Sequence, residues 1–232
     1  MLDHQVVSAA APPVVLFDLD GVLVDSGRAI TACINHALAE NGLTEQSAEG
    51  LKRFIGPPLS SAFAELTREP PDSALVAACV ARYRERYAEA SLRDTVVIPG
   101  IEATLAQLAP LYRLGVATSK PLAFTRPLLS ARGLDAFFHV LAGPDLSVTG
   151  EDKAQTIAAA LRRFGHPRQA VMIGDRSFDV LGARAHGIPA IGVGWGIGDR
   201  RELSSAGASA LVDRPSDLPA VVARVLRRAV RT

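Results

Sequence analysis

The chain has 232 residues, 48% hydrophobic and 21% charged, with 25 basic against 24 acidic side chains and a net charge of +1. That length suits one large domain or two small ones, and the composition is that of a globular chain and excludes disorder. The near-balance of charge argues against a dedicated nucleic-acid or anionic-membrane binder, and no uncharged run approaches the roughly 18 apolar residues of a membrane span. In chain order, Met1-Leu2-Asp3-His4 lacks the basic start and apolar run of a signal peptide, so a soluble cytoplasmic protein is expected. Ala9-Ala10-Ala11-Pro12-Pro13 ends a loose leader, and Val14-Val15-Leu16-Phe17 is a short apolar run of the kind buried on both faces of a parallel sheet. Similar runs return at Leu114–Ala117, Val140–Ala142, Ala170–Ile173, Ala190–Val193 and Ala210–Val212. Helical patterns at Ile101–Leu108, Leu122–Arg132, Ala154–Phe164 and Phe178–His186 separate most of them, the last stopping at Gly187 with Pro189 beyond. Alternating strand and helix predicts an α/β fold, a Rossmann-like doubly wound parallel sheet.

One stretch breaks the alternation. From Ser26 to about Asp94 no strand is evident, while Ile30, Cys33, Ile34, Ala37 and Leu38 share one helical face. Val76, Cys79, Val80, Tyr83 and Tyr87 mark another helix, on which Arg82, Arg84 and Arg86 read as a solvated face. An inserted all-helical domain over residues 26–95 is therefore expected, interrupting a core made of 1–25 and 96–232. The two cysteines, Cys33 and Cys79, form no CxxC, and neither a disulfide scaffold nor a zinc knuckle is encoded.

Ligands of open α/β sheets bind at the carboxyl ends of the strands, so the residues following each strand carry the chemistry. After the first come Asp18 and Asp20, after the second Thr118, Ser119 and Lys120, before the next helix Lys153, and after the fourth Asp175 and Asp179. Such a crowd of carboxylates repels itself unless a cation joins it, and oxygen ligands favour Mg2+. A carboxylate can attack a phosphoryl group and form an aspartyl-phosphate. A second carboxylate two positions on can protonate the leaving alkoxide and later activate water. A metal, a lysine and a hydroxyl would neutralise the phosphoryl oxygens.

Asp18-Leu19-Asp20-Gly21-Val22-Leu23-Val24-Asp25-Ser26 resembles the first motif of the haloacid dehalogenase-like hydrolases. Thr118 matches their second motif, Lys153 their third, and Gly174-Asp175-Arg176-Ser177-Phe178-Asp179 their GDxxxD fourth. The resemblance implies that Asp18 is the nucleophile and Asp20 the acid/base, the latter also lending its backbone carbonyl to Mg2+. It implies that Thr118, Ser119 and Lys153 bind the phosphoryl group and that Asp18, Asp175 and Asp179 complete the metal site. It further implies that the helical insert is a mobile cap hinged near Asp25–Gly27 and Asp94–Ile98.

Asp20 moves the reading from dehalogenation to phosphoryl transfer, because a halide leaves without a proton. The chain is similar to the phosphoglycolate phosphatase and 5′-nucleotidase-like branch. Glu151-Asp152-Lys153-Ala154 stands where phosphoglycolate phosphatases usually carry Lys-Pro, which leans toward the nucleotidase-like members. The expected activity is Mg2+-dependent hydrolysis of a small phosphorylated metabolite, by a monomer or homodimer. The alternatives are a β-phosphoglucomutase-like sugar phosphomutase, a protein-tyrosine phosphatase and a non-catalytic phospho-acceptor module. Within the cap, Arg53-Phe54-Ile55-Gly56-Pro57-Pro58-Leu59 is the expected substrate loop, with Gly56 shaping its turn and Arg53 holding an anionic group. Gly192–Gly198 fits no dinucleotide-binding register and is expected to be a flexible loop near the site, with Trp195 packing or lining the entrance.

Overall fold

The computed structural model describes residues 11–147 and 152–229; Glu151 of the third motif and most of the leader lie outside them. Strand β1 (Val14–Phe17) is fully buried along its length and occupies the middle of a six-stranded sheet. Its neighbours are β4 (Arg113–Ala117) and β6 (Ala170–Gly174), both parallel to it, with Leu16 opposite Gly115 on one side and Met172 on the other. Beyond β4 lies β5 (Val140–Ala142), and beyond β6 lie β7 (Ala190–Val193) and β8 (Ala210–Val212), giving the order β5-β4-β1-β6-β7-β8.

The apolar runs lack a polar alternation because helices cover both faces. Val15 and Phe17 point into a core shared with α5 (Ile101–Leu108), α6 (Leu122–Ala131) and α10 (Leu218–Ala229). Val14 and Leu16 point into another, shared with α7 (Lys153–Arg163), α8 (Ser177–Ala185) and α9 (Arg200–Ala206). The chain runs outward from β1 through β4 to β5, then returns to the other side at β6. This reversal opens a crevice at the carboxyl ends of β1, β4 and β6, where open α/β sheets take their ligands.

Between β1 and α5 the chain forms four helices: α1 (Gly27–Glu40), α2 (Ala48–Leu51), α3 (Leu59–Thr67) and α4 (Ala74–Asp94). They have a core of their own. Ile30, Cys33, Ile34, Ala37 and Leu38 of α1 meet Val76, Cys79, Tyr83 and Tyr87 of α4, with Phe63 of α3 closing the cluster. Ser73 caps α4 by accepting the Val76 N–H at 3.3 Å.

The two crossings into this helical unit pair with each other. β2 (Val24–Asp25) runs antiparallel to β3 (Val96–Val97), a ribbon too short for any sequence periodicity to reveal. Arg132, at the end of α6, donates from Nε to the Thr95 carbonyl at 2.9 Å and from Nη2 to the Leu92 and Thr95 carbonyls. No helix among the described residues is long and apolar enough to cross a membrane.

Candidate active site

The sheet's carboxyl edge gathers every core residue singled out from the sequence. Asp18 follows β1 directly, its N–H held by the Ile173 carbonyl at 2.9 Å. Three residues on, the chain turns through Gly21, whose φ of +82° suits glycine. That turn lets the Gly21 N–H reach the Val24 carbonyl at 2.8 Å and leaves Asp20 facing the same crevice as Asp18. Thr118 and Ser119 follow β4 and line that crevice, Thr118 donating its N–H to the Ala142 carbonyl at 3.0 Å.

Lys153 is the first residue of α7, and a reciprocal cap fixes its place. The Asp152 side chain accepts the Gln155 N–H at 2.8 Å while Gln155 Oε1 accepts the Asp152 N–H at 3.0 Å. The Lys153 ammonium enters a buried acidic nest, 2.8 Å from Asp18 Oδ1 and 3.0 Å from Asp179 Oδ1, and donates to the Ala117 carbonyl at 3.2 Å. Asp175 follows β6 and Asp179 lies in the first turn of α8, whose Oδ2 accepts the Arg176 N–H at 3.1 Å. Both carboxylates are buried beneath the crevice and take no part in its wall.

Electrostatics sets this nest apart. Burial pushes the Asp18 pKa up to about 6, with Lys153 opposing the rise and Asp179 adding to it. Asp175 is pushed well above the usual carboxylate range by burial and then by Asp179 and Asp18. Burial works against the Lys153 ammonium, yet Asp179 and Asp18 together outweigh it and hold its pKa above the ordinary lysine value.

Three carboxylates thus face one ammonium. Oxygens of Asp18, Asp175 and Asp179 lie within 4.8 Å of one another; Asp175 Oδ1 is buried without a partner, while the Oδ1 atoms of Asp18 and Asp179 share the one Lys153 ammonium. An unpartnered buried acceptor in an all-oxygen set with excess negative charge fits a hard divalent cation. The Asp20 side chain stands apart from this set. Its Oδ1 accepts the Ser26 hydroxyl at 2.5 Å and the Lys120 ammonium at 2.5 Å.

The Gly192–Gly198 segment is tied to the acidic nest: the Ile197 N–H donates to Asp175 Oδ2 at 2.7 Å, and a methyl group at Gly196 would overlap the Asp175 side chain. Trp195 secures it by donating Nε1–H to the Val22 carbonyl at 3.2 Å. In the helical unit, Gly56 lines the crevice but Arg53 does not. Arg53 instead pairs with Glu65 at 2.6 Å and lies over the Phe54 ring, because its helical turn faces α3 and solvent.

The sequence reading assigned no role to Lys120, Ser26 or the Ile197 N–H. Lys120 had a signal in its place directly after Thr118-Ser119. Ser26 and Ile197 had none, since their contacts join segments separated by turns. Arg84, read as solvated, lines the crevice. That crevice widens into a cavity of about 690 Å³ between the sheet edge and the helical unit. Arg176 bridges the two sides, donating from Nη1 to the Ile55 carbonyl at 2.8 Å while its Nε lies 3.1 Å from Glu202 Oε1.

Comparison with known proteins agrees with this geometry. The family described as haloacid dehalogenase-like hydrolase matches residues 15–193. A 5′-nucleotidase of Pseudomonas aeruginosa is 38% identical over 193 residues, 82% of this chain and 86% of that protein. A phosphoglycolate phosphatase of Rhodospirillum rubrum is 35% identical over 212 residues, 87% of each chain. The crystal structure of a predicted phosphatase from Clostridium acetobutylicum superposes with a TM-score of 0.87 at 32% identity, covering 93% of this chain and 100% of that one. With the family match spanning most of the chain and a buried acidic nest beneath the sheet edge, the protein belongs to the haloacid dehalogenase-like hydrolases and is a phosphatase of that family.

Proposed function

We propose that the protein hydrolyses small phosphate monoesters by nucleophilic attack of the Asp18 carboxylate. The observation that carries this reading is Asp18 itself. It lines the cavity while its Oδ1 lies 2.8 Å from the buried Lys153 ammonium, so a reacting oxygen meets substrate with its charge partner already in place. An Asp18 oxygen attacks phosphorus, the bond from phosphorus to the leaving oxygen breaks, and Asp20 delivers a proton to that oxygen. Asp20 then takes a proton from water as the water attacks the aspartyl-phosphate, releasing phosphate and restoring Asp18.

Thr118, Ser119 and Lys153 hold the phosphoryl oxygens through both steps. Lys120 and Ser26 orient the Asp20 carboxylate toward the leaving group. Asp18, Asp175, Asp179 and the Asp20 backbone carbonyl would hold Mg2+, which would supply positive charge to the phosphoryl oxygens. Residues 26–95 act as a cap that moves on the β2–β3 ribbon, closing over substrate and excluding water. The names of the relatives support a nucleotide- or phosphoglycolate-type metabolite as substrate.

The test is release of p-nitrophenol from p-nitrophenyl phosphate with Mg2+, comparing wild type with Asp18→Asn. Loss of about 10³-fold or more is expected on removing the nucleophile. Borohydride reduction during turnover should mark Asp18 as homoserine, detected by mass spectrometry. Equal turnover by the Asn variant, or a mark on another residue, overturns the reading.

A further inference from the structure

We infer that the cavity selects phosphate monoesters whose leaving group is an aromatic ring carrying a second anionic group, and that Arg84 holds that group. The inference rests on the phosphatase reading and departs from it in the leaving group, which is an aryl group in place of the nucleotide or glycolate that the relatives' names suggest. A cavity of about 690 Å³ lies in the range of sites that enclose drug-sized ligands. A two-carbon phosphate would occupy a small part of it, leaving apolar wall in contact with water.

The lining contributed by α4 and α6 is apolar and aromatic, with its two tyrosines almost wholly buried and the Lys120 ammonium 5.1 Å over the Tyr87 ring. Tyr83 and Tyr87 stack at 5.1 Å with 17° between their planes, and Phe124 meets Tyr87 edge-on at 5.4 Å. Val76 and Val80 extend the same wall. A sugar would bring several hydroxyls to this surface and leave them short of partners. A ring buries its faces there at no such cost.

Two charged residues of the helical unit line the cavity, Asp72 before α4 and Arg84 within it. Arg84 sits beside Tyr83 on α4 and lines the cavity, with its Nε buried and without a hydrogen-bond partner. Arg53, Arg82 and Arg93 of the helical unit are matched with Glu65, Glu85 and Asp94, and of the unit's arginines Arg84 lines the cavity while Arg28, Arg68 and Arg86 do not. Arg84 has no acidic partner among the described residues. The Tyr87 hydroxyl, on the same wall, is also buried and unpartnered. Buried donors left unmade are costly, and a guanidinium fork matches the planar oxygens of a carboxylate. Phosphate at the Asp18 end, ring against the tyrosines and carboxylate at Arg84 satisfy all three features.

The experiment compares 4-carboxyphenyl phosphate, phenyl phosphate and phosphoglycolate as substrates. Both aryl esters should exceed phosphoglycolate in kcat/KM, and the carboxylated one should exceed phenyl phosphate by roughly tenfold, the scale of one charge-assisted hydrogen-bonded pair. Arg84→Gln should erase the carboxylate advantage, mostly through KM, and Arg84→Lys should restore part of it. Phosphoglycolate as the best substrate, or equal losses on both aryl esters in Arg84→Gln, overturns the inference.

Calorimetry with 4-carboxybenzylphosphonate, which cannot be hydrolysed, separates this inference from the reading beneath it. Absence of turnover on every ester defeats the hydrolase mechanism and leaves the cavity to be judged by binding alone. Weaker binding of the phosphonate by Arg84→Gln, by roughly tenfold, supports the Arg84 assignment; equal affinity of the two proteins overturns it.

Discussion

The sheet edge and the helical wall across the cavity handle charge in opposite ways. At the edge, Asp18, Asp175, Asp179 and Lys153 are packed together out of water, and Asp20 is clamped between Ser26 and Lys120. The lining away from the edge is mostly tyrosine, phenylalanine and valine, with Asp72 and Arg84 as its charged residues. Dense charge has to be held rigidly, because a buried carboxylate tolerates few environments. Apolar wall makes no such demand and can change shape from one relative to another. On the proposed mechanism, the contrast separates chemistry, carried by the edge, from the choice of leaving group, carried by the helices.

Breaking the edge should produce the largest effects. Lys153→Met leaves Asp18 and Asp179 without their common cation. Activity should fall by roughly 10³-fold, and stability by about 3–5 kcal/mol, as for a buried ion pair robbed of one partner. Steady-state assays and urea denaturation measure the two losses. Removing the clamp on Asp20 is milder. Lys120→Met should lower kcat by roughly 10- to 100-fold with KM within about twofold, since Ser26 still holds the carboxylate.

Gly196→Ala sharpens the comparison by disturbing the edge through its backbone support. The added methyl overlaps Asp175, so Mg2+ affinity, read from the rise in Tm on titrating the cation, should weaken by roughly tenfold. The smallest effect belongs to Arg53→Ala on the outer side of the helical unit. Its exposed pair with Glu65 predicts a change within about 0.5 kcal/mol in stability and about twofold in kcat/KM. A large loss from Arg53→Ala would blur the boundary drawn between the wall and the solvent face.

The strands of the six-stranded sheet were legible because each is built on a short apolar run, and β5, β7 and β8 fall at the residues their runs predict. The acids at their ends were legible for a related reason: sheet topology brings residues that follow parallel strands to one edge whatever their distance along the chain. The short α2 and α3, and the two-residue strands of the ribbon, carry no periodicity long enough to read. The arginines show the limit most clearly. Arg53 stands in a Gly-Pro-Pro loop and Arg84 on a charged helix, and their sequence surroundings favour the former. Rotation of α4 against α1 turns Arg84 inward with Tyr83 and Tyr87, while Arg53 is drawn off by Glu65 on α3.

By itself the sequence determined an α/β sheet with buried strands, a helical insertion and a set of acids, hydroxyl and lysine spaced for one edge. Burial pattern and strand-end position are local properties, and local properties survive reading in one dimension. Only the tertiary structure decided that Lys120 and Ser26 share Asp20, that the Gly192–Gly198 segment supports Asp175, and that Arg84 and not Arg53 faces the cavity. Those outcomes depend on how separate segments pack, and packing is settled by the whole set of contacts, not by any residue's neighbours along the chain.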